Sequence, residues 1–190
     1  MEVKEGFMPF MGYQTYYRIV GTTEEGKSPI ILLHGGPGST HNYFELLDRV
    51  AETGRAVIMY DQLGCGQSFV EGHPELWTPE TWLNELCALI DHLHIEHFHL
   101  LGQSWGGMLT IIYLMERQAK GVKSAILSST LSSSKLWGSE QHRMIKFGAP
   151  DKPCGRAVQM LTQKHVAKRY MIAKKVVPLH YESEWQYKYV

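Results

Sequence analysis

Four short, nearly unbroken apolar runs limit what this chain can fold into: Pro29–Leu33, Ala56–Tyr60, Phe98–Gly102 and Val122–Ser128. A strand of that composition has no solvent face and must be covered on both sides. Between the runs lie segments with helical spacing of apolar side chains. Thr40–Thr53 carries Phe44, Leu47, Val50 and Ala51, and the segment running to about Leu93 carries Trp82, Leu86, Leu89, Ile90 and Leu93. Trp105–Arg117 reads as an apolar helix. Thr78-Pro79-Glu80 reads as a helix start, with an N-cap threonine, proline in the first turn and an early acid. Gly12–Val20, rich in tyrosine and β-branched residues, predicts one more strand. Strands alternating with helices specify an α/β fold with a mostly parallel sheet. Such sheets place their active loops beyond the carboxyl ends of the strands, where this sequence puts its glycines.

Composition narrows the function classes. The 190 residues suit one domain, or one domain and a stub, and 44% hydrophobic with 20% charged residues is ordinary for a globular protein. The formal charge of +0 argues against a nucleic-acid partner. No apolar run reaches the roughly 18–20 residues of a membrane span. The polar start, Met1-Glu2-Val3-Lys4-Glu5, does not read as a signal peptide. Three widely spaced cysteines (Cys65, Cys87, Cys154) read as reduced thiols in a cytoplasmic setting, with association to the cell envelope as the other option. The neutral total hides a net charge of −6 over residues 1–144 and +6 over 145–190, which marks a boundary near Met144.

The strongest chemical motif is Gly102-Gln103-Ser104-Trp105-Gly106-Gly107, a G-x-S-x-G sequence between a strand and a helix. A tight turn there holds the serine in a strained conformation at the positive end of a helix, which favours an alkoxide. Ser104 is therefore the candidate nucleophile. Acyl transfer also needs donors aimed at the developing oxyanion. The backbone N–H of Trp105, just after the serine, is one candidate. Gly36, in His34-Gly35-Gly36-Pro37-Gly38 after an earlier strand, is the other. No G-K-[ST] follows that loop, so a phosphate cradle is disfavoured. Asp61, at the end of the 56–60 strand, is expected to tie down its own loop. Cys65, between two glycines, could be an exposed thiol. The cluster His92, His94, His97 and His99 lacks a metal-ligand spacing and reads as a partly solvated turn, so no metal is expected.

These residues resemble the proline iminopeptidases of the α/β-hydrolase superfamily. The likeness lies in HGGPG at 34–38, YDQLGCGQS at 60–68, LLGQSWGG at 100–107, ILSSTLSSSKLW at 126–137 and SEQHRMIK at 139–146. It spans roughly residues 1–147. The resemblance implies an α/β-hydrolase fold and a serine aminopeptidase that releases an N-terminal residue, preferably proline, from short peptides or amino acid amides. It implies Ser104 as nucleophile, Trp105 and Gly36 as oxyanion donors, and His34, Gly35, Pro37 and Gly38 as shaping the substrate pocket. It implies no metal or organic cofactor.

The chain departs from the family pattern at its end. The triad order is Ser, then Asp/Glu, then His. After Ser104 the histidines are His142, His165 and His180, and the acids include Asp151, Glu182 and Glu184. None has a strand-end context, so the triad acid and base are left unassigned. The expected organisation is the N-terminal part of a hydrolase core over 1–135, cut off after the 122–128 strand. Residues 136–190 then hold the start of a cap and a divergent basic tail. A shifted reading frame from about Phe147 would explain that tail, and a natural variant is the other option. Without a base, Ser104 is expected to turn over peptides negligibly. Two other readings stay open: an esterase or amidase of the same superfamily, and a non-catalytic module that binds peptides or a partner. The sequence leaves the oligomeric state undetermined.

Overall fold

A computed structural model describes residues 1–133, together with 135, 138–140, 142 and 143. Met1–Thr130 forms a compact unit. It holds a six-stranded sheet: β1 (Val3–Phe10), β2 (Tyr13–Val20), β3 (Ile30–Leu33), β4 (Val57–Tyr60), β5 (Phe98–Gln103) and β6 (Val122–Ser128), in the order β1-β2-β4-β3-β5-β6. β1 pairs with β2 and β2 with β4 antiparallel, whereas β3, β4, β5 and β6 run parallel.

The apolar runs are covered on both faces, as their composition requires. Along β3, Ile31 and Leu33 join one cluster with helices α1 (Pro79–His92) and α2 (Trp105–Glu116). Ile30 and Leu32 join the other, with Phe44 and Ala51. β4 alternates the same way, Ile58 and Tyr60 against Val57 and Met59. At the start of α1 the Thr78 side chain accepts a hydrogen bond from Thr81 N–H, as the capping pattern implies.

Two elements differ from the expectation. The segment read as an α-helix over 40–53 is a 3-10 helix, His41–Thr53. His41, Phe44, Leu47 and Val50 recur every three residues and are at least half-buried, a spacing that a 3-10 turn places on one face as readily as an α-helix does. β1 has no counterpart in the sequence reading. It contains Gly6 and Pro9 and lacks clean alternation, so its pairing with β2 creates it rather than its own pattern.

The topology places the site. From β3 the chain passes to β4 on one side, and from β4 it crosses to β5 on the other side of β3. The order therefore reverses at β3, and a crevice opens between the loops that follow β3 and β5. The register sets Leu33 opposite Gly102, so the residues after each arrive at the same level.

Candidate active site

Ser104 sits where β5 turns into α2, with φ 53° and ψ −116°. That conformation costs a non-glycine residue on the order of 1–3 kcal/mol and persists only where the surroundings enforce it. Here Ser104 N–H donates to Ser128 C=O at 2.9 Å, and Ser104 C=O accepts from Gly107 N–H at 3.0 Å and from Thr130 Oγ1 at 2.6 Å. Gly106 makes room: a Cβ there would overlap the Leu33 carbonyl and lie 2.7 Å from His34 O. Serine is a favoured N-cap residue, yet the Ser104 side chain makes no capping hydrogen bond. Ser104 is partly exposed at the start of α2, where the helix field favours negative charge.

The 34–38 loop lies against this turn. Gly35 is buried, and a Cβ built on it would meet Gln103 Oε1 and come within 3.3 Å of Ser104 Cβ. Gly36, Pro37 and Gly38 are exposed at the rim. Gly36 has φ 121°, and a Cβ there would lie 2.5 Å from Gly38 N, so the loop closes only around glycine. Trp105 N–H is one of the helix-start amides that has no partner within its own helix. Neither it nor Gly36 N–H makes a hydrogen bond among the described residues.

His34 reaches this site from beneath. Its ring is fully buried. Gln62 N–H donates to Nε2 at 2.9 Å, which leaves the proton on Nδ1, 2.9 Å from Gly35 O. Burial lowers the His34 pKa, against the upward pull of the Gly35 carbonyl, so the imidazole is neutral. The Gly35 carbonyl and the Gly36 N–H belong to one trans peptide and point in opposite directions. By drawing that carbonyl inward, His34 turns the Gly36 N–H away from itself. On the other side, Gly35 N–H donates to Tyr43 Oη at 2.7 Å, and the Tyr43 hydroxyl donates to Gln103 Oε1 at 3.0 Å. Burial raises the Tyr43 pKa, so this hydroxyl keeps its proton.

The remaining sequence candidates fall elsewhere. Asp61 is buried and accepts from His41 Nδ1 at 2.7 Å, His41 N–H at 2.8 Å and Gln67 N–H at 2.9 Å. Burial pushes its pKa up, and the bonds from His41 and Gln67 outweigh that and hold it low. It is a loop tie, as expected. Cys65 is not exposed: it is 5% accessible, and burial pushes its thiol up to about 11. His99 Nδ1 is 2.8 Å from Ser124 Oγ and its Nε2 is 3.2 Å from Arg55, and burial together with that guanidinium lowers its pKa. Among the described residues no three His, Cys, Asp or Glu side chains are grouped to hold a metal. Asp151, His165, His180, Glu182 and Glu184 lie outside the described residues. The sequence reading did not single out Tyr43, Gln62 or Thr130. For Gln62 a signal existed, its place immediately after Asp61 at a strand's carboxyl end.

A hydroxyl on such a turn, next to the unpartnered first amide of a helix and against a glycine loop, is an arrangement suited to adding to a carbonyl and holding the oxyanion that forms. Known proteins share this framework. A proline iminopeptidase of Clostridioides difficile is 65% identical over 147 residues, which are 77% of this chain and 50% of that protein. One from Lactobacillus helveticus is 63% identical over 149 residues, again 77% and 50%. One from Lactiplantibacillus plantarum aligns over 167 residues at 53%, covering 87% of this chain and 58% of the relative. The chain thus spans about half the length of the curated relatives it matches. The solved structure of a Mycobacterium smegmatis proline iminopeptidase superposes with a TM-score of 0.69 at 30% identity, covering 87% of this chain and 55% of that one. The structure of VinJ gives 0.72 at 37%, covering 90% and 56%. The family model described as alpha/beta hydrolase fold matches residues 28–147. This chain, with its serine turn after β5 and its glycine loop after β3, belongs to the alpha/beta hydrolase fold family.

Proposed function

We propose that this chain carries the nucleophile and the oxyanion donors of a serine hydrolase of the proline iminopeptidase kind. Ser104 Oγ adds to the carbonyl carbon of the N-terminal residue, whose amide bond to the next residue is the one cleaved. The N–H groups of Gly36 and Trp105 take the developing oxyanion, and Gly35, Pro37 and Gly38 wall the pocket while His34 shapes it from below. The substrate class is a short peptide or amino acid amide with a free amino terminus, and proline is the preferred first residue. No metal or organic cofactor enters this chemistry. The similarity to named proline iminopeptidases, 65% identity over 147 residues in one case, supports the substrate class. The observation that carries the nucleophile is the strained Ser104 conformation at the start of α2. A cytoplasmic setting fits the free thiols Cys65 and Cys87. No helix among the described residues is long and apolar enough to cross a membrane. The organisation proposed is the N-terminal part of a hydrolase core over 1–135, followed by the start of a cap and a divergent basic tail over 136–190.

The test is a fluorophosphonate probe with peptide mapping by mass spectrometry. The adduct is expected on Ser104 in preference to the other serines, and absent from that peptide in Ser104→Ala. An adduct spread evenly over several serines would refute the reading. Parallel rates on a prolyl arylamide and an aryl ester separate the peptidase from the esterase alternative. Among the described residues no general base is assigned beside Ser104, so both turnovers and the labelling itself are expected to be slow, and the adduct is read after prolonged incubation. Oxyanion and binding groups alone retain on the order of 10³–10⁴ over water.

A further inference from the structure

We infer that Gln62 is a positioning residue that fixes the two oxyanion donors relative to one another. This inference rests on the reading of Ser104, Gly36 and Trp105 given above. Gln62 is fully buried, one residue beyond β4 and its loop aspartate. It touches both donor segments through different groups. Its side-chain NH2 donates to His34 C=O at 3.1 Å, and its backbone N–H holds the His34 ring at 2.9 Å. Its side-chain carbonyl accepts from Trp105 Nε1 at 2.9 Å. Its own backbone carbonyl accepts from Cys65 N–H at 2.8 Å, so it is itself held.

The consequence is geometric. One segment, through His34 and the Gly35 carbonyl, sets the direction of Gly36 N–H. The other is the residue whose own N–H is the second donor. One rigid amide spans them, donating to the first and accepting from the second. Only a group with a donor and an acceptor on one carbon can do both. A carboxylate accepts from Trp105 but faces the His34 carbonyl with a second lone-pair oxygen. A protonated carboxylic acid restores the donor in nearly the same place. Gln62→Glu is therefore a switchable probe of the cross-link.

The experiment is the rate of fluorophosphonate labelling at Ser104 in the full chain, as a ratio of variant to wild type at each pH. For Gln62→Glu the ratio is expected near one at about pH 5, where the buried acid is protonated. It should fall at least roughly tenfold as the acid ionises toward pH 8, short of the ~10²–10³-fold typical of deleting an oxyanion donor. Gln62→Met keeps the length and the packing without either hydrogen bond, and its ratio should be low at every pH. Near-UV circular dichroism checks that both variants hold their tertiary structure. A Gln62→Glu ratio that does not vary with pH, or a folded Gln62→Met labelled at the wild-type rate, overturns the inference and leaves the reading of Ser104 intact. A wild-type chain without Ser104 labelling overturns both.

Discussion

At the scale of single residues, the site depends on glycines and on groups that use up the wrong hydrogen-bond partners. Tyr43 illustrates the second point. Its hydroxyl takes the Gly35 N–H, so that amide is not left to compete with Gly36 for an incoming oxygen. Tyr43→Phe removes two hydrogen bonds, that from Gly35 N–H and that to Gln103 Oε1, each worth about 0.5–1.5 kcal/mol. Ser104 labelling is expected to slow several-fold with a small change in Tm. Gly36→Ala is expected to be more severe. A φ of 121° and a 2.5 Å approach to Gly38 N force the loop to move, and with it the amide proposed to take the oxyanion. Labelling should fall by about 10²-fold, the order of losing one oxyanion donor. Near-wild-type labelling of Gly36→Ala would show that this amide takes no part.

At the scale of elements, buried polar ties dock the helices and loops onto the sheet. Glu85 on α1 is fully buried, accepts from Thr15 Oγ1 on β2 at 2.5 Å, and accepts from Leu63 N–H in the loop after β4. Burial raises its pKa to about 7, although the bonds from Thr15 and Leu63 pull the other way. The folded value lies above the ordinary 4.5. The folded state therefore holds this proton more tightly, and the corresponding stability is fully present below about pH 4.5. It is lost as pH rises through about 7, roughly 3 kcal/mol in all. Denaturant titrations of wild type and Glu85→Gln should differ in slope over this window, with the variant flatter. Equal slopes would place the titration elsewhere. The parallel strands and both α-helices were legible in the sequence, because burial on two faces and a capping threonine leave local signatures. The serine turn and the glycine loop were legible for the same reason: sterics demand particular residues at particular positions. β1 was not, since only its partner strand makes it a strand. The 3-10 helix was missed because apolar residues three apart also fit an α-helical face. Gln62 and Tyr43 act across 43 and 60 residues of sequence, respectively, to reach Trp105 and Gln103, and no local pattern encodes such a bridge.

At the scale of the whole molecule, the sheet order brings the loops after β3 and β5 together, and everything proposed about function follows from that juxtaposition. Gly106 is its keystone, since α2 packs onto the end of β3 with no room for a Cβ beside the Leu33 carbonyl. Gly106→Ala is expected to destabilise the fold by several kcal/mol, of the order seen for overpacking or worse, measurable as a large drop in Tm. An unchanged Tm would mean that α2 can back away from β3 at little cost. Mapping fluorophosphonate adducts on the chain tests the proposed nucleophile most directly. Modification concentrated on Ser104, and eliminated from that position by Ser104→Ala, is the expected result. Modification distributed over the exposed serines, with Ser104 no more reactive than the rest, would contradict it.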